Sequence, residues 1–484
     1  MEVSYEELNA IDYNLEAEAV YSILRAVEEI LIANAGIDSY NELMDFVESL
    51  SDVNAILYDR TIVSNENIHE VLNIVETLIN MQIVKVLFDP AYDTFVAPMF
   101  EGAEGLIAIL TDMDNYGVEL LVEDLNSIIE VLREVVDMNT LGIALDEAEI
   151  DWENSQAIDH LIETIFALNI LDAKLEGLLD FVTENVFDVS AIVAEELDLA
   201  NDGKLIAEAI RILIDELLVG DAVPFDKLAD LETVMSMDFL TLLQKPYLMA
   251  VVDALDKIVE TTLVEAAIAV VVDQYDSIVP ADFLFLFETG ITASLLYEDV
   301  NSIVDILRAV VETELYTFLD GEDISFVGLA DELTTIIDAV LHLNILSVDM
   351  AKVLENVLAM VGLEVAYEDL AAVDYDLDYE AIYTVLDIVE KILTVNADID
   401  SYNELMDYIS SIESIDAVLY DRNVVSNENL HEVLDSIDLL VDLSMIPALY
   451  DVIYDKLVVL ENYPETIRPF LEFDNYEVEL FVED

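Results

Sequence analysis

The sequence predicts an all-α fold made of tandem helical repeats, and three observations lead there. Apolar residues recur at helical spacing through most of the chain, strand-like alternation is nearly absent, and one long stretch returns almost letter for letter. That stretch, Ile37 to Leu72, contains Ser39-Tyr40-Asn41-Glu42-Leu43-Met44-Asp45, Tyr58-Asp59-Arg60 and Val63-Ser64-Asn65-Glu66-Asn67. It recurs 362 positions on as Ser401 to Asp407, Tyr420-Asp421-Arg422 and Val425 to Asn429.

The elements follow in order. Val20, Ile23, Leu24, Val27, Ile30 and Leu31 form a helical stripe after Asp12, with Glu28 and Glu29 on the other side. Ile382, Val385, Leu386, Val389, Ile392 and Leu393 repeat it, and Ile206, Ile210, Leu213 and Leu217 form a weaker middle copy, 186 positions after Val20, Leu24, Val27 and Leu31. Ser39 with Glu42 predicts a capping box, in which hydroxyl and carboxylate satisfy free N–H groups at a helix start, followed by a stripe of Leu43, Phe46, Val47 and Leu50. Ser64 opens another helix with Ile68, Val71, Leu72, Val75, Leu78 and Ile79 facing inward. Phe88 to Gly105 concentrates Pro90, Pro98, Gly102 and Gly105, which predicts a loop or module joint. Leu120 to Ile128, with Leu132-Arg133, is answered 175 positions later by Leu295 to Ile303, with Leu307-Arg308. Phe283 to Phe287 is apolar enough for a strand and fits a buried helix equally.

Three copies result. The first, 1–186, has a longer segment, 1–116, and a shorter one, 117–186; the second, 187–362, divides into 187–291 and 292–362; the third, 363–484, is truncated. About three domains also follow from length, at roughly 150 residues each. Glu6-Glu7-Leu8-Asn9 and Glu123-Asp124-Leu125-Asn126 suggest that long and short segments are related. Met1 aligns with Leu363, and Asp474 to Asp484 aligns with Asp114 to Asp124, so the sequence reads as a piece excised at repeat boundaries. Copies of this size exceed the usual ~20–50-residue solenoid unit. The expected architecture is tandem helical bundles or an irregular α-superhelix, elongated.

Composition sets the chemistry. The chain carries 105 acidic and 16 basic residues, a net charge of −89, yet 55% of its residues are hydrophobic and its mean hydropathy is +0.47. Abundant apolar residues argue against disorder, so an acidic skin should surround apolar cores. Nucleic acid and anionic lipid are excluded as partners, because both need Lys and Arg to displace counterions. Self-repulsion should be relieved by salt or divalent cations. No apolar run approaches the ~18 residues of a membrane span. The longest, Ala266 to Val272, is closed by Glu265 and Asp273 and reads as a buried helix. There is no cysteine, hence no disulfide, thiolate site or cysteine nucleophile. No basic and then apolar leader opens the sequence.

Candidate chemistry is thin. Asp198-Leu199-Ala200-Asn201-Asp202-Gly203-Lys204 resembles the start of a calcium loop but has Ala200 and Ala209 at ligand places. Its sister stretches, Asp12 to Glu16 and Asp374 to Asp378, lack the glycine, and Asp112 to Gly117, with Glu123 at the twelfth place, has Tyr116 at a ligand place. Acids before a helix are ordinary caps. Weak, diffuse calcium binding is expected, with no specific cofactor. His69 and His431 lack the second histidine of a zinc motif and should edge an apolar stripe. Arg60, Arg422 and Lys245, like Arg133 and Arg308, should neutralise local carboxylates. The 22 tyrosines, among them Tyr5, Tyr13, Tyr21, Tyr40, Tyr58 and their partners Tyr367, Tyr375, Tyr383, Tyr402 and Tyr420, should sit at module joints. No catalytic, cofactor-binding or metal residue is assigned. The expected function is a non-catalytic structural or adhesive repeat region of a large acidic microbial surface or extracellular protein, associating with protein or with itself. The alternative is a cation-dependent helical binding module or scaffold for a protein or peptide partner, and the alternative location is cytoplasmic.

Overall fold

The computed structural model describes residues 3–49, 64–100, 105–113, 115–138, 156–186, 188–216, 245–288, 290–313, 316, 323–360, 362–411, 425–446 and 448–449. Among them the fold is all-α, with one isolated antiparallel bridge between Ser325 and Ser401. Arg60, Arg422, Tyr58, Tyr420, Leu50, Gly102, Asp114, Leu217 and the segment 474–484 lie outside the described residues.

The helices are α1 (Tyr5–Ala10), α2 (Tyr13–Glu28), α3 (Tyr40–Ser49), α4 (Asn65–Asn80), α5 (Gln82–Ala91), α6 (Leu106–Thr111), α7 (Val118–Asp137), α8 (Gln156–Phe166), α9 (Asn169–Asn185), α10 (Leu199–Ile214), α11 (Lys245–Val259) and α12 (Thr262–Asp273). They continue as α13 (Tyr275–Ile278), α14 (Leu284–Glu288), α15 (Ala293–Glu312), α16 (Leu329–Leu341), α17 (Asn344–Ser347), α18 (Met350–Met360), α19 (Tyr367–Leu370), α20 (Tyr375–Lys391), α21 (Tyr402–Ser411) and α22 (Asn427–Val441). Two compact bodies form, one from residues 1–239 and 253–270, the other from 240–252 and 271–484.

Within the first body, α2 packs on α4, α4 on α7, α7 on α8 and α8 on α10. Within the second, α15 packs on α16, α16 on α20 and α20 on α22. A second core cluster there joins Ala351, Val365 and Leu370 to Leu354, Leu358, Ala448 and Leu449.

Local chemistry explains the helix ends. Ser64 and Ser426 accept the N–H groups of Asn67 and Asn429 at 3.2 and 3.0 Å. Asp12, Asp198 and Asp374 cap α2, α10 and α20. Ser39 accepts Glu42 N–H at 3.4 Å, but the Glu42 carboxylate reaches one residue past the expected box, to Asp38 N–H at 2.9 Å. Ser401, Glu404 and Asp400 repeat this arrangement. The bond from Asp38 N–H holds the Glu42 carboxyl below its usual range. Each of α2 and α20 runs into a π-helical turn, Glu29–Asn34 and Ile392–Asn396, and then a left-handed residue, Gly36 or Asp398.

Two expectations are corrected. Phe88 to Met99 is helical rather than a loop: α5 runs through Pro90, a π turn spans Tyr92–Val96, and a 3-10 turn spans Ala97–Met99. The breakers shift helix type there because i→i+5 bonding bypasses the donor that proline lacks. The apolar stripes are wider than the faces they bury. On α2, Val20, Leu24 and Val27 are exposed while Ile23, Ile30 and Leu31 are half-buried, and on α3 Val47 is exposed. On α4, Val71, Val75 and Leu78 are exposed while Ile68, Leu72 and Ile79 are half-buried. Phe283 to Phe287, open to either reading in the sequence, is helical.

At the contact of α8 with α10, a Cβ built on Gly203 would stand 2.5 Å from Phe166 Cβ. Gly203→Ala should therefore destabilise by about 1–3 kcal/mol, overpacking outweighing the roughly 1 kcal/mol helical gain, as read by the denaturant midpoint.

Candidate functional site

Five buried carboxylates define the recurring site. Glu16 on α2 accepts the N–H groups of Gln82 and Ile83 at 2.8 and 3.4 Å. Asp124 on α7 accepts those of Asn169 and Ile170 at 2.8 and 3.0 Å, and Asp202 on α10 those of Thr262 and Leu263 at 2.8 and 3.1 Å. Asp299 on α15 accepts those of Asn344 and Ile345 at 2.6 and 2.7 Å, and Asp378 on α20 those of Ser444 and Met445 at 2.7 and 2.9 Å. The first four thus cap the starts of α5, α9, α12 and α17. Apart from Lys174, the five are the only buried charged side chains among the described residues.

The side chain at each capped position seals the joint. Thr262 Oγ1 donates to Asp202 at 2.6 Å, and Asn169 and Asn344 amides donate to Asp124 and Asp299 at 2.8 and 3.0 Å. Gln82, Thr262 and Ser444 oxygens also accept the N–H groups of Asp12, Asp198 and Asp374 at 2.9, 3.0 and 2.8 Å. Tyr116 donates to Asp124 at 2.8 Å, and burial, then the carboxylate, pushes its hydroxyl pKa far up.

The five joints describe one module: a helix A bearing the acid, a helix B, and a segment C whose start the acid caps. Its members are α2/α4/α5, α7/α8/α9, α10/α11/α12, α15/α16/α17 and α20/α22/444–446. Each B ends one to three residues before C begins. The long segments differ by an insertion containing α3 or α21 between A and B. Glu7 serves only the local capping box of Ser4, so the counterpart of Asp124 in the long segment is Glu16, not the acidic phrase at residues 6–9.

Nine residues beyond the acid, four A helices carry arginine: Arg25, Arg133, Arg211 and Arg308. Arg133 reaches back to α4, donating to Asn73 Oδ1 at 2.9 Å and pairing with Glu76. Arg211 reaches back to α8, meeting Asp159 at 3.3 Å. The α4–α7 joint adds a reciprocal amide pair, Asn80 with Asn126, and His69 with Asp137 at 2.7 Å. Arg308 meets Asp305 on its own helix at 3.5 Å.

The other sequence candidates fall into place around these joints. Asp198 and Asp202 of the calcium-like loop are both helix caps. Tyr116 and Gly117 precede α7, with Tyr116 buried. His431 is exposed, and Lys245 donates to the Glu312 carbonyl at 3.2 Å. Tyr13 and Tyr375 donate to the carbonyls of Leu8 and Leu370, each at 2.8 Å, while Tyr5 and Tyr40 are exposed. Tyr383 lies 3.4 Å from Asp338, and burial pushes its pKa to about 12. Among the described residues no group of acids and histidines is arranged to hold a metal. No single helix there is long and apolar enough to cross a membrane, while α4 with Gln82–Met99 has the composition only as a pair bent by 70°. Comparison with protein-family models, curated proteins and solved structures finds no match.

Asp202→Ala leaves three donors without an acceptor and should cost ~2–4 kcal/mol, with Asp202→Asn costing less because one oxygen remains. Guanidinium denaturation checks the order. Asp159 provides a pH test. Its Oδ1 is buried without a hydrogen-bond partner, and burial raises its pKa despite Arg211. A raised carboxyl pKa means the folded state holds its proton more tightly, so Asp159 costs stability at neutral pH and that cost fades as pH falls towards its folded pKa. The stability of Asp159→Asn relative to the parent should therefore decline between pH 7 and pH 4.

Proposed function

We propose that this chain is a non-catalytic structural or adhesive array, a repeat region of a large acidic surface or extracellular protein. The observation that carries this reading is the fivefold use of one buried carboxylate to hold two successive N–H groups of a later segment of its own module, four times at a helix start. What the modules share is a means of joining helices, and at two of the joints an arginine, Arg133 or Arg211, links a module to the one before it. In this reading the A and B helices alternate as an irregular α-superhelix whose contacts are nearest-neighbour, so that adding modules adds length. Its acidic skin keeps neighbouring arrays apart and holds divalent cations diffusely.

A helical binding module is the second reading. It is favoured by the apolar side chains left open on α2, where Tyr21 and Leu24 are 67% and 58% exposed. Small-angle scattering separates the two. An array should give an elongated particle whose maximum dimension grows in proportion when a further copy of residues 187–362 is inserted, and a compact particle of unchanged dimension would overturn it. With a net charge of −89, the melting temperature should climb on adding NaCl and climb further at equal ionic strength with CaCl2. A melting temperature indifferent to both would remove the electrostatic part of the proposal.

A further inference from the structure

Helix α2 carries a complete joint surface on which no element packs among the described residues. The relevant stripe lies 1, 5, 8 and 12 residues beyond the capping acid, on one helical face. In α10 it is Gly203, Ala207, Ile210 and Ile214, with three buried and Ile210 half-buried against α8. In α20 it is Tyr379, Tyr383, Leu386 and Glu390, all half-buried, with α16 packed on the helix. In α2 it is Ala17, Tyr21, Leu24 and Glu28, and all four are exposed.

The polar anchors are present too. Arg25 stands where Arg133 and Arg211 reach back to the preceding B helix, and no ion pair engages it among the described residues. Glu28 matches Glu390, which accepts the N–H groups of Gly328 and Ala330 at 2.8 and 2.7 Å and so caps α16. Beyond the π turn, Ser401 bridges Ser325: Tyr402 N–H donates to the Ile324 carbonyl at 2.9 Å, and Phe326 N–H donates to the Asp400 carbonyl at 2.7 Å. The counterparts Asp38, Ser39 and Tyr40 are exposed. The first and third copies share Tyr21 with Tyr383, Leu24 with Leu386 and Glu28 with Glu390 but differ at Ala17 against Tyr379 and Arg25 against Asp387, so the apolar and capping contacts of α16 carry over to α2 while the anchor at Arg25 follows the α4–α7 and α8–α10 joints.

We propose that the exposed face of α2 is the docking surface for the B helix of a further module of this kind, one resembling 323–341. The incoming helix would place its N-terminal N–H groups on the Glu28 carboxylate, lay its apolar face on Tyr21 and Leu24, and bring an acid to Arg25. An acid beside Arg25 is where the internal joints have Glu76 and Asp159. This deepens the array reading and rests on it for the identity of the partner.

The absence of native cysteine gives a clean test. Leu24→Cys should react with a soluble maleimide at nearly the rate of a free thiol, whereas Ile210→Cys, its counterpart in an occupied joint, should react slowly. Fusing residues 292–362 ahead of residue 1, the register that precedes residue 363, should slow the Leu24→Cys reaction at least tenfold. Adding Glu28→Ala should recover at least threefold of that. The proposal is overturned if fusion leaves the rate unchanged while Ile210→Cys in the same protein stays slow. It is equally overturned if Leu24→Cys is already slow in the unfused chain. Concentration dependence of that slow rate would then point to a second copy, and its absence to the chain's own segments. Should the fusion expose Ile210→Cys, a fusion of residues 187–362 supplies the same helix within its whole repeat and is judged by the same rates. A compact scattering profile with a protected Leu24→Cys would refute elongation and leave the joint standing.

Discussion

The structure depends on a carboxylate buried at the start of a helix that belongs to another element of the same module. A helix N-terminus offers N–H groups with no intrahelical acceptor and the positive end of the helix dipole, so it is one of the few buried places where an anion is stabilised. Two or three charge-assisted bonds offset the several kcal/mol of desolvation that an isolated carboxylate would cost. The bond is also directional. An apolar contact between helices A and C would tolerate sliding, whereas Asp202 meets two successive N–H groups and a hydroxyl at a single register. In a chain whose buried core, among the described residues, is mostly Val, Ile and Ala, that register is information the apolar residues cannot supply.

This explains why the fold class is legible in the sequence and the organising site is not. Helical periodicity and the caps at Ser64 and Ser426 are local signals, and they correspond to α4 and α22. The caps at Glu16, Asp124 and Asp378 act on residues 45–67 positions away, and among 105 acids a single one that turns inward has no compositional signature. The signal that could have found them is a pairing: an acid followed nine positions later by arginine, which recurs at Arg25, Arg133, Arg211 and Arg308, and once more at Glu413 and Arg422, in a chain nearly devoid of cations. Arg133 and Arg308 are visible as a matched pair; Arg25 and Arg211 complete the series only when the buried acid is taken as the origin. The apolar stripes mislead in a related way, since periodicity identifies every face a helix could bury. Val71 and Val75 satisfy the period of α4 and are nonetheless exposed.

Scarcity of cations makes the placement of each one informative. With 16 Lys and Arg against 105 acids, an arginine reaching from one module to the previous one relieves repulsion between two acidic surfaces where they must touch. Arg133 between Asn73 and Glu76, and Arg211 against Asp159, sit at such contacts, half shielded from solvent where screening is weaker. Surface ion pairs elsewhere, such as Lys257 with Glu260, span one helical turn and add little to register.

The joint between α16 and α20 shows that the contact can be kept while its residues change. At the position of the arginine, α20 has Asp387, which would add to the repulsion if the same geometry were retained. Instead Glu390 caps α16, Tyr383 approaches Asp338, and the bridge at Ser325 and Ser401 fixes the entry of the chain. A cation meeting an acid has been replaced by an acid meeting a helix start, which is the same device that the module uses internally. Helix α2 carries both solutions, Arg25 and Glu28, on one face. Bearing an anchor for each kind of neighbour is what distinguishes it from α7, α10 and α20, the three A helices packed on a preceding B helix.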